Sequence, residues 1–143
     1  MITSQKGIKL IQEFESCKLI AYKPKGEKVT PYYTIGWGHY GKDVRKNQKI
    51  TFQEADRLLV NDLKKCEKAV QSIPQYPQLN QNQFDALVSF TYNCGVGCLN
   101  QLVKGRDLKT ISQKILLYNK SGGKVLKGLT RRRAREQELF LSK

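Results

Sequence analysis

Phe14-Glu15-Ser16-Cys17-Lys18-Leu19-Ile20-Ala21-Tyr22, followed after a polar loop by Tyr33-Thr34-Ile35-Gly36-Trp37-Gly38-His39, is the stretch from which the rest of this chain can be read. The first run closes an apolar-periodic segment with a carboxylate and passes into the apolar residues Leu19, Ile20 and Tyr22. The second is β-branched and aromatic and is broken by two glycines, the pattern of a strand entering a tight turn. Between them, Lys23-Pro24-Lys25-Gly26-Glu27-Lys28-Val29-Thr30-Pro31 carries two prolines and a glycine and reads as a loop. A carboxylate at a helix-to-strand junction suits a general acid, because partial desolvation favours the protonated form that such an acid must carry.

Outward from this stretch, residues 3–15 read as a helix capped by Thr3 or Ser4, with Ile8, Ile11 and Phe14 on its apolar stripe. Glu13 points elsewhere than Glu15 and reads as solvated surface. Residues 51–73 form a long helix: Thr51-x-x-Glu54 is a capping box, Phe52, Ala55, Leu58, Leu59, Leu63, Cys66 and Val70 follow helical spacing, and Pro74 stops it. Asn80-x-x-Gln83 opens a helix through Phe84, Leu87, Val88 and Thr91 that ends at Gly95 and Gly97. A short helical piece covers 98–103. Asp107 caps a helix with Ile111, Ile115 and Leu116 inward, which Ser121-Gly122-Gly123 breaks. Residues 129–141 close the chain as a basic amphipathic helix with Leu129, Leu139 and Phe140 apolar. The pattern is α+β within one domain, residues 1–143. A small antiparallel sheet lobe over about 15–50 and a helical lobe over about 75–143 plus the N-terminal helix share a bridging helix over about 51–73, with a cleft between the lobes.

A chain of 143 residues can bury a core without staples. No apolar run reaches the roughly 20 residues that a membrane span requires, and Met-Ile-Thr-Ser-Gln-Lys-Gly has no apolar signal core. The formal net charge of +14 predicts attraction to a polyanion. Residues 101–143 carry twelve Lys/Arg against Asp107, Glu136 and Glu138, so the last third is the electrostatic handle. Cys17, Cys66, Cys94 and Cys98 lack the spacing of a disulfide framework or a zinc site and read as four buried thiols. With one histidine in the chain, no metal and no cofactor are expected.

Three separated motifs resemble the phage-type lysozymes (endolysins of glycoside hydrolase family 24). They are Phe14-Glu15 with Leu19-x-Ala21-Tyr22 and Thr34-Ile35-Gly36-x-Gly38-His39; Phe84-Asp85-Ala86-Leu87-Val88-Ser89-Phe90-x-Tyr92-Asn93-x-Gly95; and Gly122-Gly123-x-Val125-Leu126-x-Gly128-Leu129 with Arg132-Arg133-x-x-Glu136. The resemblance implies a lysozyme-like fold and hydrolysis of the β-1,4 bond between N-acetylmuramic acid and N-acetylglucosamine in peptidoglycan. It implies catalytic roles for Glu15 as general acid and for Thr34, and sugar contacts for Tyr40, Tyr92, Asn93 and Arg132. It also implies an ion pair between His39 and Asp62, and an approach of Arg131 or Arg132 to Glu15; the remaining arginines are expected to face solvent or the wall polymer, with Arg132 and Glu136 set for an i,i+4 pair. Trp37 reads as packing within the Gly-x-Gly turn.

The chain departs from the family where a second acid is expected. Nine residues past Glu15 stands Pro24, and the only carboxylates in residues 1–42 are Glu13, Glu15 and Glu27. Cleavage needs a proton donor and a group that stabilises the oxocarbenium-like centre or aims a water at it. Glu27 is the first choice for that second role, Asp43 the next, and a water held by Thr34 without a second carboxylate the third. Other readings are a lytic transglycosylase on the same fold, a non-enzymatic basic nucleic-acid or lipopolysaccharide binder, and a membrane-disrupting protein acting through 129–141. As an endolysin the chain is expected to be a monomer in the host bacterial cytoplasm, with peptidoglycan as substrate. It would reach the wall after release by a holin, and anionic wall polymers or membrane lipids would meet its basic third.

Overall fold

The computed structural model describes residues 1–23 and 31–143, so Glu27 and the loop around it lie outside the described residues. The chain divides into two compact units, Glu15–Asp62 and Met1–Phe14 with Leu63–Lys143.

In the first unit, β1 (Lys18–Tyr22), β2 (Tyr33–Gly36) and β3 (His39–Gly41) form an antiparallel sheet with β2 in the centre. Thr34 is opposite Tyr22 on one side and Tyr40 on the other. Trp37 can occupy the β2–β3 turn because Gly36 and Gly38 take φ of 67° and 104°, a region that a side chain disfavours. Ile35, Val44, Ile50 and Ala55 make a small core, against which Leu19, Ala21, Trp37 and Leu58 pack. Burying a side chain the size of Ile35 contributes about 1.5–3 kcal/mol, so these four residues hold a sheet too short to stand alone.

The helix α2 (Phe52–Gln71) starts in this unit and continues into the other. Its capping box forms as expected: the Glu54 N–H donates to Thr51 Oγ1 at 3.2 Å and the Thr51 N–H to Glu54 at 3.4 Å. Phe52 departs from expectation and is 60% exposed. Ala55 and Leu58 already fill the small core from this turn, so Phe52 is left outside it.

The second unit is helical. It holds α1 (Gln5–Phe14), the rest of α2, α3 (Gln81–Cys94), α4 (Val96–Val103), α5 (Leu108–Lys114) and α6 (Lys127–Leu141), with α6 and α1 both packed on α3. Asn80 closes a capping box with Gln83 at the start of α3, where a helix was expected to open, and Asp107 caps α5 through the Thr110 N–H at 2.8 Å. Eight consecutive residues of α3, Phe84–Thr91, are buried. A helix buried all round is a central one.

Four expectations are corrected here. Leu116 is exposed, because α5 gives way to a 3₁₀ turn (Ile115–Leu117) that turns it outward. Ser121-Gly122-Gly123 does more than break a helix: β4 (Lys120–Ser121) and β5 (Lys124–Val125) pair across Gly122 and Gly123, whose φ of 57° and 80° suit a two-residue hairpin turn. The cysteines are all free, yet only Cys66 is buried; Cys17 follows α1, and Cys94 and Cys98 flank the α3–α4 turn, where the chain meets solvent. Finally, Arg133 was expected at the surface and is wholly buried.

The N-terminus is fastened by acids that its own sequence does not announce. The Thr3 N–H and hydroxyl donate to Glu67 at 2.7 and 2.6 Å, and the Ser4 N–H donates to Asp85 at 3.0 Å. The Ser4 hydroxyl also donates to Asp85 and accepts from the Gly7 N–H, so Ser4 is the cap of α1. No helix among the described residues is long and apolar enough to cross a membrane.

Candidate active site

Glu15 is the first residue after α1, in a bend before β1, and is half-buried. Thr34 lies on the central strand, paired on both sides through its backbone, and is 7% exposed. Tyr40, opposite Thr34 on β3, is 45% exposed, and its ring lies 5.6 Å from that of Tyr32. Two exposed tyrosines side by side offer an aromatic face to a flat ligand. All four residues belong to the Glu15–Asp62 unit.

His39 takes the structural place expected of it and more. Its Nδ1 meets both Asp62 oxygens at 2.8 and 2.9 Å, and its Nε2 meets Asp43 Oδ2 at 2.8 Å. Only the doubly protonated ring can donate from both nitrogens. Burial works against that charge, but the hydrogen bonds to Asp43 and Asp62 outweigh it and raise the pKa above its ordinary value of 6.5. Asp43, the alternative second carboxylate, is thereby committed to His39, which holds its carboxyl below the usual range. A raised histidine pKa means that the folded state holds the proton more tightly than the unfolded chain. The stabilisation is therefore full below about pH 6.5 and is lost as pH rises through the folded value. Thermal melts across pH 5 to 9 should show this loss, and Asp62→Asn should remove about 1–2 kcal/mol at pH 5 and much less at pH 9. A His39 titration midpoint at its ordinary value would refute the pairing. Trp37 is also structural, donating from Nε1 to Asp56 at 2.8 Å.

The remaining candidates belong to the helical unit. Tyr92 is half-buried and Asn93 exposed at the end of α3. Beneath them lies a buried ionic network. Arg132 donates to Glu136 at 3.3 Å and to the Ser89 carbonyl at 3.2 Å. Arg133 donates to Glu136 at 2.8 Å and to Asn93 Oδ1, and Ser89 donates to Glu136 at 2.5 Å. Burial pushes the Glu136 carboxyl up, and Arg133, Arg132 and Ser89 oppose it. The i,i+4 pair of Arg132 and Glu136 thus exists, inside the protein rather than on its surface. Arg131 and Arg132 stand over the ring of Phe14, the residue before Glu15, at 5.2 and 5.7 Å. At such distances the ring face attracts a guanidinium.

A cavity of about 310 Å³ is lined by Lys6, Lys9, Leu10, Glu13, Arg135, Glu138, Leu139 and Ser142, none of them a candidate for sugar binding or catalysis. Glu13 there is paired with Arg135 at 3.0 and 3.2 Å. Among the described residues, no group of three or more His, Cys, Asp or Glu side chains converges as metal ligands would. Sequence reasoning missed Arg133 and Ser89 as parts of the candidate site. The available signal was the i,i+3 spacing of Arg133 to Glu136 opposite a helix as apolar as α3.

The phage lysozyme family profile matches residues 12–136, and the chain belongs to this family. Over 99% of its length the chain is 42% identical to an endolysin of Bacillus phage B103, of which it covers 55%. It thus spans about half the length of that relative. The muramidase domain of SpmX from Asticaccaulis excentricus superposes with a TM-score of 0.80 at 34% identity, covering 98% of this chain and 97% of that one. A variant of the lysozyme of phage P22 superposes with a TM-score of 0.78 at 35% identity, over 99% of both chains.

Proposed function

We propose that this chain is a muramidase that hydrolyses the β-1,4 bond between N-acetylmuramic acid and N-acetylglucosamine in bacterial peptidoglycan. The observation that supports the reading is Glu15, half-buried at the α1–β1 junction of a chain that the family profile matches over residues 12–136, and given the acid's role by the resemblance of its Phe14-Glu15 motif. Glu15 gives its proton to the bridging oxygen as the bond breaks. The ring left behind takes on oxocarbenium character and needs an electron-rich partner or an aimed water. The buried Thr34 hydroxyl can donate and accept at once, which suits it to hold that water. Glu27 is the second carboxylate. Tyr40, Tyr92 and Asn93 contact the sugars; Arg132, to which the resemblance gave a sugar contact, is 3% exposed and donates to the Ser89 carbonyl within α3.

Purified peptidoglycan tests the reading. Hydrolysis leaves reducing N-acetylmuramic acid ends that have gained a water, and mass spectrometry separates these from the anhydro ends of a transglycosylase. Glu27→Gln is expected to lower turnover by about 10²-fold, within the range of a lost acid–base or electrostatic group. Full turnover by that variant would remove Glu27 and leave the Thr34-held water as the second component. The enzyme works as a monomer on the wall, which it reaches from the host cytoplasm once a holin-type partner has opened the membrane. Its net charge of +14 favours anionic wall polymers and membrane lipids.

A further inference from the structure

Asn93 is exposed, but its side chain is not free to choose its orientation. Its Oδ1 accepts from the terminal guanidinium nitrogen of Arg133, and the Cys94 Sγ also lies 3.7 Å from that oxygen. Arg133 is itself immobilised. It is 0% exposed, its other terminal nitrogen is bound to Glu136 at 2.8 Å, and its guanidinium lies 5.1 Å from the centre of the Phe90 ring. A guanidinium has five donors and no acceptor. It therefore admits the oxygen of a carboxamide and rejects the nitrogen, since a flipped Asn93 would set N–H against N–H. The electrostatics decide the amide orientation independently of how the oxygen and nitrogen are assigned. What remains for a ligand is Nδ2, with two donors.

We propose that Arg133 is a positioning residue that turns Asn93 so that its exposed amide offers a ligand only hydrogen-bond donors, selecting the acetamido carbonyl of an N-acetylated sugar. This rests on the muramidase reading, in which Asn93 touches the glycan. It adds the direction of the hydrogen bond and the group on the sugar that is read. An acetamido carbonyl accepts from Nδ2, whereas the ammonium of a de-N-acetylated glucosamine only donates and is turned away. The buried charge network then has a use beyond stability, because it keeps one exposed amide from averaging over two orientations.

The experiment measures KM and kcat on purified peptidoglycan before and after de-N-acetylation of its glucosamine. Asn93→Asp keeps the shape and gives Arg133 a stronger acceptor, so it should melt no lower than the parent, yet it has no donor. Its KM on N-acetylated substrate should rise about tenfold, the worth of one good hydrogen bond, with a smaller change in kcat. On de-N-acetylated substrate the rise should vanish or reverse. Arg133→Met, which keeps bulk over Phe90, should raise KM to a similar degree, and adding Asn93→Ala to it should give no further rise. If Asn93→Ala raises KM while Asn93→Asp does not, the donor assignment is overturned and the sugar contact survives. If Asn93→Ala leaves KM unchanged, the contact itself fails, and with it the proposal. A parent protein without turnover overturns both readings.

Discussion

Glu15→Gln is expected to slow the clearing of purified cell walls by about 10³-fold, close to 4 kcal/mol of transition-state stabilisation. Glutamine matches glutamate in size and hydrogen-bonding reach but has no proton that it can pass to the glycosidic oxygen. Glu15 sits in a bend just beyond the last turn of α1. A melt of the variant beside the parent separates lost chemistry from lost fold. Glu15→Asp separates chemistry from position. It retains the acid but withdraws it by one methylene, and a misplacement of about 1 Å costs roughly 10²-fold. Release of reducing ends measures both variants. If the amide variant clears walls at the parent rate, Glu15 is not the acid. If it also retains membrane leakage or killing, the basic surface carries that effect.

How far the sequence could be read depended on the range of each interaction. The caps of α2, α3 and α5 were legible because Thr51 and Glu54, Asn80 and Gln83, and Asp107 and Thr110 lie three residues apart. The sheet was legible because the β-branched and aromatic run Tyr33, Thr34 and Ile35 is bounded by Pro31 and Gly36. The fastening of Thr3 to Glu67 and of Ser4 to Asp85 was not, since nothing local marks partners 64 and 81 residues away. The β4–β5 hairpin was hidden by its brevity: two residues on each side leave no period to detect. At the candidate site, Thr34 and Tyr40 were chosen on the family resemblance, Glu15 on that and on its place at a helix-to-strand junction, and the His39–Asp62 pair that the resemblance implied is present. Arg133 was misread because a run of three arginines looks like surface. A counterion one helical turn away on the same element marks a pair without saying whether it is buried; the apolar run of α3 that packs on α6 was the only hint of that.

That burial sets up the second large effect. Glu136→Gln is expected to destabilise the protein by about 3–5 kcal/mol, the usual cost of leaving a buried charge without its partner. Glu136 is 0% exposed and accepts from Arg132, Arg133 and Ser89, while Arg132 and Arg133 are 3% and 0% exposed. The amide keeps the shape and one acceptor oxygen, so packing is preserved and the loss is electrostatic. The wholly buried Arg133 guanidinium then loses its carboxylate partner. Domains of this size hold only about 5–15 kcal/mol in total, so the melting temperature should fall by roughly 10 °C or more. Adding Arg133→Met to Glu136→Gln should recover part of the loss, because the buried charge that lost its carboxylate is removed and a thioether packs well against Phe90. Chemical denaturation of the three proteins measures this directly. A single-variant loss below about 1 kcal/mol would mean that solvent reaches the pair, and the network could then not hold Asn93 in one orientation.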